Sequence, residues 1–308
     1  MGKQLAVTVN AVHRVGSKMY LTTSGVYRKA KKAYLTDGGV HKLCYEEGSA
    51  IDTMTISCTG TMIDAGIVSM TDGEYRLLTL TTSGTLTVDA DVTAEVWMCG
   101  GGANGEAGGS GGAGAYTATG LLTLSGGTVA VVGSAGGLSS FGGVTTKVAQ
   151  GVSGGTGGGR GNYSSNPFAG SGDGVSKYPF LDSEYFKNPH CAGGGGGARN
   201  LHDTDNNEFY SYSGGSGGTN GGNGYDSYYT GSYDVCYGGG GGKYGGGGGG
   251  LAYYYDDGRP RTSDGTDATF YGSGGGGGGY SENFEVCQIG QGGKGYQGVI
   301  YIRIPVNQ

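Results

Sequence analysis

The sequence predicts an all-β protein: a polyglycine II helix sandwich on a β-sandwich-like base, preceded by a small N-terminal β-hairpin attachment region. Three observations lead there. Gly supplies 75 of the 308 residues and comes in blocks. Segments with period-2 alternation, the mark of half-buried strands, flank those blocks. Polar segments dense in Tyr, of which the chain has 24, stand between them. Hydrophobic residues make up only 35% of the chain, against ~45–50% in an average domain, so an ordinary large core is excluded. Gly within a regular element costs roughly 0.5–1 kcal/mol relative to Ala. Backbone pairing must therefore order the blocks.

Composition removes other classes. Collagen needs Gly at every third position with abundant Pro, and this chain has 5 Pro. A flexible Gly/Ser linker would not carry the Tyr. No apolar run approaches the roughly 18–20 residues of a membrane helix, so no membrane insertion is expected. Residues 1–12 show no apolar h-region before His13 and Arg14, which reads as synthesis in a cytoplasm. None of the six Cys forms a C-x-x-C pair. Free buried thiols are the default in that setting, and a bridge between Cys191 and Cys236 stays open.

Residues 1–50 read as an attachment or oligomerisation segment. Tyr20 to Lys29 repeats as Tyr34 to Leu43, each copy a short strand, a Gly turn and a return strand. Two hairpins alone bury too little to stand free, so they need another chain, a second copy or a partner protein. These 50 residues hold eight Lys/Arg and three Asp/Glu; the rest hold eleven and twenty-two. An acidic body of this size repels phosphate backbones, so no nucleic-acid partner is expected.

Residues 51–98 read as a β-rich connecting region with base strands. Ile51 to Thr59 and Tyr75 to Thr82 alternate, Ser83-Gly84 turns into Thr85 to Val88, and Val92 to Met98 runs into Gly100. Residues 99–308 form a glycine-rich domain closed by the strand Val299 to Ile304, which is expected to pair with Val92 to Met98. Its first part carries strands at Tyr116 to Leu124, Thr128 to Val132 and Val144 to Ala149. Gly blocks follow, at 154–161, 193–197, 214–224, 238–250 and 274–279. An extended three-residue-per-turn helix makes no internal hydrogen bonds and rises about 3.1 Å per residue. Several such helices of Gly can satisfy one another's backbone groups.

The segments Asn162 to Lys187, Arg199 to Ser213, Tyr225 to Tyr237 and Leu251 to Tyr271 are then loops at the lattice ends. Tyr gives large contact area at low entropy cost, and Ser, Gly and Asn adapt their hydrogen bonds. The receptor-binding candidates are Tyr210, Tyr212, Tyr225, Tyr228, Tyr229, Tyr233, Tyr253, Tyr254, Tyr255, Asp256 and Asp257. A glycan or a protein surface is the partner their chemistry suits; capping of the lattice ends is the plain alternative.

Catalytic residues, metals and cofactors are not expected. The G-x-G-x-x-G matches lack the strand-before, helix-after setting, and Gly242-Lys243-Tyr244 fails the P-loop pattern. The four His show no ligand spacing. Asp203 to Glu208 offers oxygens but lacks the Gly and later Glu of a calcium loop. Asp256 with Asp257, or Asp182 with Glu184, offers carboxylates for a glycosidase pair, though solvated loop acids are commoner.

Tyr75 to Val88, then Val92 to Met98 into Gly100-Gly101-Gly102, resembles the opening of the glycine-rich domains of bacteriophage tail and tail-fibre proteins. Thr128 to Gly133, then Gly136 to Gly142 and a Gly block, and the closing Gly298 to Arg303 are similar to the same pattern. The basic repeat around Tyr20 to Leu43 resembles repeats in phage tail proteins. Gly blocks beside Cys191 and Cys236 are also similar to the glycine-rich domain of some animal receptor kinases, the weaker match. The phage resemblance implies a virion protein of the tail or tail fibre, a host-surface adhesin displaying Tyr-rich loops on a rigid scaffold. A purely structural virion protein, a head fibre or tail decoration, is the alternative; a depolymerase of surface glycans stands third.

Overall fold

The computed structural model describes residues 51, 54–150, 193–197, 245–252, 259–282 and 286–306 with their side chains, and the backbone alone of the strands within 11–46, 199–212 and 253–254. Strands dominate: β1 (Ala11–Val15), β2 (Lys18–Thr23), β3 (Val26–Lys29), β4 (Lys32–Asp37) and β5 (Val40–Glu46) come first. Next are β6 (Ile56–Cys58), β7 (Met62–Met70), β8 (Gly73–Leu80), β9 (Gly84–Val88), β10 (Val92–Cys99), β11 (Thr117–Leu124), β12 (Gly127–Val131), β13 (Ser140–Phe141) and β14 (Val144–Thr145). Then follow β15 (Arg199–Asp203), β16 (Glu208–Tyr212), β17 (Ala252–Tyr254), β18 (Pro260–Thr262), β19 (Tyr280–Glu282), β20 (Cys287–Ile289) and β21 (Val299–Pro305). Pairing is antiparallel except between β15 and β19, and the sheets stay open.

The N-terminal repeat is two hairpins in the backbone. Thr23 faces Val26 across Ser24-Gly25, and Asp37 faces Val40 across Gly38-Gly39. A further strand, β1, adds to the first.

The base consists of two five-stranded sheets, ordered β11-β10-β21-β8-β7 and β14-β13-β12-β9-β6. The closing strand pairs with β10 as its sequence implied, from Glu95 opposite Arg303 to Cys99 opposite Val299. Alternation decides what each face buries. Val96, Met98, Ile300, Ile302, Ile304, Leu78 and Leu80 point between the sheets with Leu86, Leu124 and Phe141, all among the core cluster. Trp97, Cys99, Val299, Tyr301, Tyr75 and Leu77 form a second cluster on the outer face of the first sheet. There Trp97 stacks on Tyr301 at 5.8 Å. Arg303 lies 4.4 Å from the Tyr75 ring and bonds Glu95 and Asp72.

Several strands differ from the sequence reading. Ile51 to Thr59 shrinks to β6, and Val144 to Ala149 to β14. Strand β7 has no clean alternation because a bulge between Asp64 and Gly66, with Gly66 at φ 71°, breaks its register. Leu251 to Tyr271 is not a loop. It holds the β17–β18 hairpin and then an extended segment, 263–269, bonded back to 245–251.

Extended glycine-rich segments stand on the base, and their backbone bonds recur at every third residue. Ala103 and Glu106 donate to Ala113 and Ser110; Gly102, Gly105 and Gly108 donate to Tyr296, Gly293 and Gly290. Gly247 and Gly250 donate to Gly274 and Gly277, and Gly265 and Ala268 to Gln291 and Lys294. A strand's groups point in two directions, whereas a three-residue period points them in three. Segment 274–279 is accordingly surrounded. Its N–H groups donate to Ala103 and Glu106, to Thr266 and Ser263, and to Gly195; its carbonyls accept from Gly112, Gly293, Gly290, Gly247 and Gly250. Six segments thus bond one central chain, and each of Gly274 to Gly279 is buried. A Cβ at any of these six positions would collide with a neighbour's carbonyl.

The lattice is tied to the base by short bonds. Ser139 Oγ donates to the Cys99 carbonyl at 2.7 Å and accepts from Gly133 N–H at 2.9 Å. Gly298 donates to Gly133 and Gly101 to Gly137.

Acid weakens this base. Burial pushes the Asp72 carboxyl up, but the hydrogen bond and charge of Arg303 outweigh it, and the group sits below its ordinary 3.8. The Asp89 carboxyl sits below the same value because the Thr55 N–H donates to it. A carboxyl with a depressed folded pKa stabilises above its unfolded pKa and loses that contribution as pH falls through the folded one. The urea midpoint is therefore expected to fall below about pH 4, and Asp72→Asn to flatten part of that slope.

Candidate functional site

The segments around the central chain run up or down along one axis, and this fixes which ends meet. Segments 193–197 and 245–250 run parallel to 274–279, while 263–269 and 290–296 run antiparallel. Gly197, Gly250, Gly279, Ser263 and Gly290 consequently lie at one end, away from the base strands that Gly100, Tyr116 and Gly298 adjoin. At that far end the chain continues into β15, β17 and β19 and arrives from β18 and β20. These strands form the sheet β16-β15-β19-β20 and the pair β17-β18. Connections 204–207, 255–258 and 283–285 lie outside the described residues.

Sequence-derived candidates distribute unevenly over this frame. Tyr210 and Tyr212 occupy β16, in register with Leu201 and Arg199. Tyr253 and Tyr254 occupy β17, opposite Arg261 and Pro260. These four stand on strands of the far end rather than in free loops. Tyr225, Tyr228, Tyr229, Tyr233, Tyr255, Asp256 and Asp257 lie outside the described residues, as do Asn162 to Lys187 and both Cys191 and Cys236.

Three residues outside the receptor-binding candidates join that end. The Tyr280 hydroxyl donates to Glu282 Oε2 at 2.6 Å. Cys287 faces Glu282 across the β19–β20 pairing. The bond to Glu282, then burial, then Cys287 push the Tyr280 phenol well above its ordinary value, so it stays protonated and keeps donating. The free thiols differ in exposure: Cys99 is buried, Cys58 half-buried and Cys287 exposed. On β20 and just before it, Ile289 is 51% and Val286 42% exposed.

Polar side chains add further bonds between segments whose main chains already pair. Asp264 and Asp267, three residues apart, accept from the N–H groups of Gln291 and Lys294 at 2.7 and 2.6 Å. Asn104 accepts from Gly295, and Thr266 from Gly248. No group of three or more His, Cys, Asp or Glu able to hold a metal occurs among the described residues.

Comparison with family models, curated proteins and solved structures finds no match to this chain.

Proposed function

We propose that this chain is a bacteriophage virion protein of the tail or tail fibre that binds the host surface through the far end of its glycine lattice. The observation that carries the reading is the gathering of short Tyr-bearing strands at one end, with the base at the other. The extended segments are read as polyglycine II helices. Their three-residue bonding period supports this, because that helix directs its backbone groups in three directions at about 3.1 Å rise per residue. A body cross-linked by main-chain bonds in every direction holds the recognition end rigid, which lowers the ordering entropy lost on binding. Many copies on one particle add avidity. Residues 1–50 supply the grip on other virion proteins, and the ligand is a bacterial surface glycan or protein. The chain acts by display, without catalysis or cofactor.

The test uses the labelled full chain on arrays of bacterial surface polysaccharides and surface proteins. Variants replace 204–207, 255–258 or 283–285 with Gly-Ser. Binding to at least one array member, lost in one or more variants whose thermal melting is unchanged, is the expected result. No binding, or binding indifferent to all three replacements, overturns the adhesin reading and favours a structural virion protein whose far end contacts neighbouring subunits.

A further inference from the structure

The N-terminal repeat extends over all five strands, and the strand registers repeat with it. Val12-His13-Arg14, Val26-Tyr27-Arg28 and Val40-His41-Lys42 recur every fourteen residues, on β1, β3 and β5. Lys18-Met19-Tyr20-Leu21-Thr22 on β2 recurs as Lys32-Ala33-Tyr34-Leu35-Thr36 on β4. In the first hairpin Tyr20, Leu21, Thr22 and Thr23 stand opposite Lys29, Arg28, Tyr27 and Val26. In the second, Tyr34, Leu35, Thr36 and Asp37 stand opposite Leu43, Lys42, His41 and Val40. Every pair has moved by fourteen residues on both strands.

Strand β1 pairs with β2 through Val12 opposite Leu21, His13 opposite Tyr20, Arg14 opposite Met19 and Val15 opposite Lys18. The same step of fourteen gives β3 a partner in β4: Val26 opposite Leu35, Tyr27 opposite Tyr34, Arg28 opposite Ala33 and Lys29 opposite Lys32. Yet the strands pair as β1-β2-β3 and, separately, as β4-β5. No pairing of β3 with β4 occurs among the described residues.

The residues between these strands account for the break. A two-residue hairpin turn needs positive φ at one or both central positions, which Gly, Asn or Asp supplies. Gly16-Ser17, Ser24-Gly25 and Gly38-Gly39 meet that need, and Ala30-Lys31 does not. The closing pair would also set Lys29 opposite Lys32, where the first copy has Val15 opposite Lys18. Like charges directly opposite destabilise a ladder. Strands β3 and β4 thus match in register, while the connection between them opposes their pairing within one chain.

We infer that two copies exchange these strands: β3 of each chain pairs antiparallel with β4 of the other, in the register that β1 and β2 show. Two five-stranded sheets result, each completed by β4 and β5 of the second copy, about one two-fold axis. The repeat itself names the partner strand, because β3 carries the pattern of β1 and β4 that of β2. Between chains no turn closes the pair. Ala30-Lys31 runs across from one sheet to the other, and Lys29 and Lys32 stand at an end that splays. Short connections that turn only under strain invite such exchange.

Sedimentation velocity of the full chain over a wide concentration range tests this inference, which stands independently of the adhesin reading. Wild type is expected to be a dimer. The double substitution Ala30→Asn with Lys31→Gly supplies a turn that folds β4 back on β3 of its own chain. It is expected to leave a monomer at concentrations where wild type is dimeric. The register is read by co-expressing Tyr27→Cys chains with Tyr34→Cys chains and oxidising the product. Only a mixed dimer sets the two introduced thiols opposite one another. Covalent dimer is therefore expected above the level that wild type or either variant alone gives. A monomeric wild type, a dimer that the double substitution leaves unchanged, or a mixture without excess covalent dimer overturns the inference.

Discussion

Replacing Gly276 with Ala is expected to collapse the glycine lattice, while the same change at Gly248 leaves it standing. A Cβ on Gly276 meets the Gly248 carbonyl and the Gly247 carbonyl carbon, all main-chain atoms. Those atoms cannot retreat. Gly247 and Gly248 are themselves bonded to Gly274, Gly195 and Thr266, and their neighbours to the next segment out. Overpacking a rigid interior costs about 1–3 kcal/mol and sometimes more; here no side chain can rotate aside, so the upper end or beyond applies. Among the described residues, a new Cβ at Gly248 has only Thr266 Oγ1 for company, at 3.6 Å, and its φ is not in the left-handed region. Ala there restricts the unfolded chain and is expected to be neutral or to stabilise by roughly 0.4–1 kcal/mol. Urea unfolding of the two variants beside wild type reads this out. Equal midpoints for both would mean that the central segment is not confined as described.

How much of this architecture a reader can take from the chain depends on which physical signal carries each part. Strand β21 and its partner β10 were legible because their residues are buried on both faces, which leaves Val299 to Ile304 apolar at every position but Arg303. Hairpins in the N-terminal repeat were legible from Ser24-Gly25 and Gly38-Gly39 alone. Strand β7 was not, since Asp64-Ala65-Gly66 interrupts the alternation by which strands are recognised. Ordering of the blocks at 193–197, 245–250 and 274–279 followed from their recurrence between good strands, while those at 154–161, 214–224 and 238–244 lie outside the described residues. Which segments bond which did not follow, because glycine carries no side-chain pattern to set register. The exceptions are Asp264, Thr266, Asp267 and Asn104, whose side chains accept from main-chain N–H groups of adjoining segments. For the candidate site, Tyr density drew attention to 251–271, yet Ser263 to Thr269 is scaffold. Tyr280 and Glu282 escaped notice because their partnership arises from one short strand placed directly after a Gly block.

Truncating Ile302 to Ala is expected to loosen the lattice as much as the base. Ile302 is fully buried between the sheets, in register with Val96 on one side and Leu78 on the other. Loss of its side chain should cost about 2–5 kcal/mol. The interest lies in where that loss appears. Lattice segments begin and end on base strands: Gly100 continues β10, Tyr116 leads into β11 and Gly298 leads into β21. Gly101 and Gly102 further bond the turn at Gly136-Gly137, itself held by Ser139 to Cys99. Glycine segments bury little apolar surface of their own, so their bonds persist only while their ends are held in register. Amide exchange should therefore show the N–H groups of Gly276 and Gly279 losing protection by the same factor as those of Ile300 and Val96. Unchanged lattice protection in Ile302→Ala would instead mean that glycine main-chain bonding alone is sufficient to order a body of this size.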